Sequence, residues 1–437
     1  MKRVDRVLIA AGCFLLLMIS WSVVINSKSA VEKQIDLMRQ AAELINDGIY
    51  IRAVPLLEEA ADYNTKYTAA AESELKRVYL TLIDQSGFRR KYTGLLDKQM
   101  NRSGAPPEVF AEAAYYYFGM SRARNALAAL KSGIEKTGSE MLVSLYEANR
   151  YSYEMSRTIY DDVTAVFGST IQVQADGLWG IAQSDGILLI PCEYEKISTF
   201  SDGRTVVMKD NEIFAIDSNN NRIAVIRGDI CELGNLAEKR IPLLVGGNWI
   251  RATEELVPGA VAFERLGMYS DGYAAARENG KWGVIDHSAK WLIPAEYDEV
   301  IMDELGRCYA REAVFVRSGD TVRLYSGGRL TGETYDDARP FSNEGYAAVK
   351  RGGAWGFIDL QGTVMIDFLF EDALSFGQHL TAVMQDDLWG YINMQGDIVI
   401  EPVFLEAKSF SNGSAPVLTQ RGWQFITLSE YKTAAGI

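Results

Sequence analysis

Residues 278–299 read ENGKWGVIDHSAKWLIPAEYDE. Asn279-Gly280 is a turn pair, because both central positions of a tight hairpin need positive φ. It leads into a short alternating strand, Lys281 to Asp286, then a second turn, an apolar run Trp291-Leu292-Ile293, and a corner Pro294 to Glu299. Alternation over six residues bounded by turn residues is the signature of a half-buried strand rather than a helix. The stretch therefore reads as one unit of a β structure.

The same unit recurs as DGLWGIAQSDGILLIPCEYE at 176–195, GAWGFIDLQGTVMIDFLFED at 353–372 and DLWGYINMQGDIVIEPVFLE at 387–406. The repeated Trp-Gly pairs are Trp179-Gly180, Trp282-Gly283, Trp355-Gly356 and Trp389-Gly390, and Trp423 marks a further copy without the glycine. This pattern resembles the WG-repeat (KWG) family of bacterial proteins. The resemblance implies a structural array and a binding surface rather than a reaction, and assigns those Trp and Gly residues to the scaffold.

Counting corner residues gives Tyr160, Tyr194, Ile230, Phe263, Tyr297, Tyr335, Phe370 and Phe404, at intervals of 34, 36, 33, 34, 38, 35 and 34. Nineteen or twenty residues after most corners stands a Trp-type position: Trp179, Phe214, Trp249, Trp282, Trp355, Trp389 and Trp423. The unit at 321–324 lacks an aromatic there, and its long interval marks an insertion near 303–311. A third strand of small residues, such as Ala274-Ala275-Ala276, leaves room for the neighbouring Trp ring. Glycine after the Trp removes a Cβ where another backbone must approach.

Three short strands cannot bury both faces alone, so units must stack. The array begins at a corner without a Trp strand and ends on a Trp strand without a corner, so each terminus supplies half a unit. Closing a ring removes the two end faces that an open stack exposes. The expectation is a propeller-like toroid of about eight small blades, with an open β superhelix of the same units as the alternative.

Upstream, 29–149 has a helical apolar period. Gly48, Tyr50, Ala53, Leu57 and Ala60 are spaced as in the tetratricopeptide pattern, and weaker copies carry Ser86, Phe88 and Leu95, then Ser121, Ala126, Leu130 and Gly133. The resemblance implies paired helices with small residues at their crossings, although Lys91 and Lys98 replace the small residues of the middle copy. The segment is a plain helical spacer or a concave surface for a partner peptide. Tyr115, Tyr116, Tyr117 and Phe118 cannot all face one side of a helix, so one or two should lie on its surface.

At the N-terminus, Lys2, Arg3 and Arg6 precede an uncharged run over 7–25. As a helix it spans roughly 28 Å at about 1.5 Å per residue, the thickness of a bilayer core. Basic residues on the leading side place residues 1–6 in the cytoplasm and the rest outside. Lys28 at the −3 position of Ala30 disfavours cleavage, so the segment reads as a transmembrane signal anchor. The whole is thus an α+β multidomain chain: tail 1–6, anchor 7–25, tetratricopeptide-like helical region 29–149 and all-β WG-repeat array 150–431.

The net charge of −14 excludes a phosphate-binding surface built on clustered Lys and Arg, so no nucleic-acid partner is expected. Two histidines and four scattered cysteines without a CxxC give no catalytic, cofactor or metal motif. His287 and His379 read as exposed loop residues. The recurring corner acids, such as Asp161-Asp162 and Asp298-Glu299, read as solvated turns, since a catalytic pair would occur once. Asp217-Ser218-Asn219-Asn220-Asn221 is rich in oxygen but lacks the glycine and distal Glu of a calcium loop.

The reading is a bacterial, membrane-anchored, extracytoplasmic protein that is not an enzyme and engages protein or cell-envelope polymer. The alternative is a cell-wall hydrolase with its site on an atypical repeat. Singularity separates the two, because a site must break the repeat with polar residues; the irregular 301–320 segment offers Asp303, Glu304, Arg307, Arg311 and Glu312.

Overall fold

A computed structural model describes residues 29–226 and 230–430. It divides into two compact units, Met1–Ala148 and Asn149–Ile437. The anchor expected at 7–25 lies outside the described residues. Among those described, no helix is long and apolar enough to cross a membrane.

The first unit holds seven helices among the described residues: α1 (29–46), α2 (Tyr50–Asp62), α3 (Thr68–Thr81), α4 (Phe88–Met100), α5 (Pro107–Gly119), α6 (Ala123–Thr137) and α7 (Glu140–Glu147). Pro107 opens α5, where a missing N–H costs nothing, and Gly138 ends α6 in the left-handed conformation. Ala53, Leu57, Ala60, Leu95, Ala126 and Leu130 are all buried in its core. Gly133 must be glycine, since a Cβ there would lie 2.6 Å from Leu142 and 2.7 Å from Phe110. The two lysines of the middle copy face outward and reach α2 instead, Lys91 to Glu58 at 2.7 Å and Lys98 to Asp62 at 2.9 Å. Of the aromatic run, Tyr115 is exposed and Tyr117 buried.

The second unit is an eight-bladed β-propeller. Each blade is a four-stranded antiparallel sheet rather than the three strands expected from sequence. The strand that was missed is two residues long in most blades. In blade 1 it is Asp162–Val163, followed by Thr170–Ala175, the Trp strand Leu178–Gln183 and the edge strand Leu188–Tyr194. The residues after each corner thus leave one blade and begin the next. A two-residue strand has too few residues to show alternation, which hides it from sequence patterning.

Blades 2 to 7 continue over Lys196–Ile226, Ile230–Phe263, Arg265–Tyr297, Glu299–Leu330, Asp337–Phe370 and Asp372–Phe404. Blade 8 is shared between the ends: Glu406–Ala407, Ser414–Thr419 and Gly422–Leu428 come from the C-terminal side, and Tyr153–Met155 adds the fourth strand. Tyr153, Glu154 and Met155 stand opposite Leu428, Thr427 and Ile426. Tyr160 and Trp423 exchange backbone hydrogen bonds at 3.0 and 3.1 Å. The ring is closed, by a three-plus-one split rather than two halves.

Corners and Trp positions stand directly opposite across the last two strands: Trp179 with Tyr194, Trp249 with Phe263, Trp282 with Tyr297, Trp355 with Phe370 and Trp389 with Phe404. Blade 2 departs from the expected count. Ile213, not Phe214, occupies the Trp register there, and Phe214 falls at the place held elsewhere by glycine. Ile230 does not close that blade either; Val225 is opposite Phe214, and Ile230 opens blade 3 opposite Val245. In blade 5 the Trp place is taken by Val322, bridged to the corner Tyr335.

The glycine after the Trp is explained by a close approach. At Gly180 a Cβ would sit 2.5 Å from the Ile190 carbonyl oxygen of the edge strand, and Gly390 meets Ile400 at the same distance. Blade 8 manages without it. Its edge strand comes from the other end of the array, and Gln424 hydrogen-bonds that segment through Nε2 to the Ser156 carbonyl at 2.8 Å.

Trp423 is 4% exposed beside the closing strand, whereas Trp282 is only half-buried. Replacing Trp423 with alanine should cost about 3–5 kcal/mol, the range for emptying an aromatic core site. Trp282→Ala should cost clearly less. Urea unfolding midpoints of the two variants check the order.

Candidate functional site

The repeated acids of the propeller have structural work. The first acid after a corner accepts backbone N–H from the hairpin turn about half a repeat later. Asp161 takes Asp176 at 2.7 Å, Glu195 takes Asp210 at 2.9 Å, Asp298 takes Gly319 at 2.8 Å, and Glu264, Asp336 and Glu371 do likewise. They are turn caps rather than merely solvated groups. A second acid or amide closes the turn before the edge strand, as Asp286, Asp359 and Asn393 do. Asp217 belongs to this set, receiving N–H from Asn219 and Asn221 at 2.9 and 2.8 Å. Among the described residues no group of His, Cys, Asp or Glu is placed to hold a metal ion.

The loops after the two-residue strands meet around the ring's axis, and the insertion in blade 5 crosses it. Leu305 is buried among Ala237, Met268, Ala165 and Phe167, which come from blades 3, 4 and 1. Asn235 donates to the Leu305 carbonyl at 3.0 Å, Met268 N–H to that of Gly306 at 2.9 Å, and Lys408 of blade 8 pairs with Glu304 at 2.8 Å. Asp303 is consumed within the insertion, holding Arg307 at 2.6 Å and the Leu305 N–H at 3.0 Å. Asp303, Glu304 and Arg307 therefore build a plug rather than an open cleft, whereas Arg311 and Glu312 are exposed, the Arg311 N–H reaching Asp271 at 2.9 Å. Burial pushes the Cys308 thiol in the same segment up to about 12, which leaves it inert.

A repeat position that sequence reading passed over lies three residues after the first strand in six of the eight blades. It is Phe200, Phe341, Phe376 and Phe410 in four blades, Leu236 in blade 3 and Tyr269 in blade 4. The signal was present as the recurring FSDG, YSDG and FSNG at 200–203, 269–272 and 410–413.

Singularity, applied to the structure, points to the junction of blades 3 and 4. Two residues after the Trp, every other blade buries an apolar side chain: Ile181, Ala215, Val284, Leu324, Phe357, Tyr391 and Phe425 are all 0% exposed. Blade 3 places Arg251 there, half-buried. Its guanidinium donates to the His287 backbone carbonyl. His287 is not a free loop residue: its Nε2 lies 2.7 Å from Glu238 Oε2, and its ring is 5.1 Å from that of Tyr269. Glu238 also accepts the Gly272 N–H at 3.1 Å. Arg240 stands 6.0 Å from the Tyr269 ring and donates to the Glu238 backbone carbonyl at 2.7 Å. Tyr269 is 1% exposed and its hydroxyl meets no protein partner. Burial raises its pKa, and the nearby Arg251 and Arg240 charges oppose the rise. His379, by contrast, sits in an exposed loop beside Met394, its N–H reaching Glu344.

Six stretches match the family model described as WG containing repeat: residues 179–212, 261–282, 282–303, 334–353, 355–389 and 389–422. These stretches of the array are WG containing repeats, and the unmatched intervals include the irregular parts of blades 3 and 5. No curated protein matches the chain. Among solved structures, Hsv2p of Kluyveromyces lactis is 10% identical over 54% of this chain and 93% of its own, with a TM-score of 0.38. A eukaryotic initiation factor is 12% identical over 58% and 79%, TM-score 0.39. PorZ, a surface component of the type-IX secretion system of Porphyromonas gingivalis, is 12% identical over 61% and 42%, TM-score 0.35. Likenesses this loose carry nothing of those proteins over to this chain.

The turn caps make a pH dependence. The hydrogen bond from Lys281, then that from the Gly319 N–H, holds Asp298 below its usual 3.8. A carboxylate with a depressed folded pKa adds stability above its unfolded value and loses it as pH falls through the folded one. Asp298→Asn should therefore be less stable than wild type at neutral pH, and the gap should close in acid. Denaturant midpoints measured across that range check it.

Proposed function

We propose that the chain is a non-catalytic binding or scaffold protein that engages protein or cell-envelope polymer through its WG-repeat propeller. The observation that carries this reading is the fate of the repeated polar groups: the corner acids that could pose as catalytic pairs are engaged by backbone N–H groups of the hairpin turns. An acid held by such bonds has its lone pairs and its charge committed to the fold. The polar cluster at the junction of blades 3 and 4 contains a Glu–His pair, but the hydroxyl beside it is a buried phenol without a base partner. That arrangement suits recognition better than hydrolysis, which needs a nucleophile in reach of its base.

Location rests on the sequence. The uncharged run at 7–25, with Lys2, Arg3 and Arg6 ahead of it, reads as a single membrane span that leaves the helical unit and the propeller outside the cytoplasm of a bacterium. The helical unit is then either a spacer or a concave surface for a partner peptide. An acidic chain with no basic stripe fits protein or polymer better than nucleic acid.

Protease added to intact cells stripped of wall should degrade the protein, and full protection would overturn the topology. Purified chain should release no soluble fragments from peptidoglycan or polysaccharide. Release that disappears on a single carboxylate substitution would overturn the non-catalytic reading.

A further inference from the structure

We infer that the junction of blades 3 and 4 is a binding site for a carboxylate, held by Arg251, Arg240, the Tyr269 hydroxyl and His287. The repeat is its own control. Phenylalanine fills the place of Tyr269 in four blades, so the ring is what packing requires there and the hydroxyl is an addition. A buried hydroxyl without a partner is destabilising, because its lost water contacts are not replaced. The same holds for Arg251, which stands where the other seven blades bury Ile, Ala, Val, Leu, Phe or Tyr. Two departures from the repeat, one on a strand of blade 3 and one in a loop of blade 4, converge on one place, and each adds a hydrogen-bond donor.

Donors are in surplus there. Among the described residues, neither Arg240 nor Arg251 pairs with a carboxylate. Each spends one guanidinium N–H on a backbone carbonyl, of Glu238 and His287 respectively. A guanidinium carries five N–H donors in a fixed fork, so both keep most of theirs. The acids nearby are already engaged: Glu238 by His287 and the Gly272 N–H, Asp286 by the N–H groups of Ser288 and Lys290.

The charge count selects the ligand. Two arginines and two carboxylates, Glu238 and Asp286, act on the Tyr269 hydroxyl, and His287 pairs with Glu238. A single added negative charge is met by the arginine forks and the phenol, whereas a doubly charged phosphate would face both acids. A planar monoanion also matches the fork geometry of guanidinium. The ligand is therefore a carboxylate, supplied by a small organic acid or by the end or side chain of a partner peptide. The site goes beyond the scaffold reading and does not depend on where the chain resides.

The test is titration calorimetry on the full chain, with acetate, inorganic phosphate, and a short peptide bearing either a free or an amidated C-terminus. Tyr269→Phe and Arg251→Leu both restore what the other blades carry, so both should keep or raise the thermal midpoint. Saturable binding of acetate, weakened at least tenfold in each variant, is the expected result. Tighter binding of the free-acid peptide than of acetate, lost on amidation, would assign the carboxylate to a partner chain. Equal binding of the two peptides, alongside saturable acetate, would assign it to a small acid. No saturable acetate binding, or equal binding in wild type and Tyr269→Phe, overturns the site, and phosphate binding tighter than acetate overturns the ligand class.

Discussion

The propeller depends on one contact between its ends. Tyr153–Met155 lies along Gly422–Leu428, and Tyr160 and Trp423 exchange backbone hydrogen bonds. Without that strand blade 8 would keep three strands, and its free edge would expose unpaired N–H and C=O groups. Every other blade is complete within a single stretch of chain, so closure decides whether eight local sheets become one ring. A ring in turn gives each blade two neighbours, which is how sheets this small bury both faces.

Within a blade the constraint passes to the Trp strand. Its aromatic ring stands opposite the corner residue, and the glycine that follows lets the edge strand come within contact of its backbone. The corner acids then fasten the hairpin turn, so the geometry of one blade is tied to the first residues of its own inner strand. Ring contacts continue between blades, as between Tyr194 and Phe214 at 6.3 Å or Tyr391 and Phe410 at 4.7 Å. A structure locked at so many equivalent places can tolerate a few positions given over to something else. Arg251 in a core position is the clearest of these.

The axis shows how an irregular repeat is used. An insertion of a few residues in blade 5 makes contacts with blades 1, 3, 4 and 8. It fills the middle of the ring with Leu305 and fixes it with the Glu304–Lys408 pair. Three of the polar residues that make 301–320 look like a site in sequence, Asp303, Glu304 and Arg307, anchor the plug.

The sequence by itself determined the repeat, its number and the need for closure, because these follow from spacing and from the physics of short strands. It also located seven of the eight corners correctly and the helical character of 29–149. It did not determine the two-residue inner strands, since no periodicity exists in two residues, nor the register of blade 2, where one residue's shift moves Phe214 from the Trp place to the glycine place. The three-plus-one split was likewise beyond it, because Tyr153–Met155 pairs with residues more than 250 positions away in sequence. The cluster of Arg251, Tyr269 and His287 was decided by tertiary structure alone. Each residue is unremarked in its own repeat, and only the packing of blade 3 against blade 4 brings an arginine from one strand, a phenol from a loop and an imidazole from a turn to the same place.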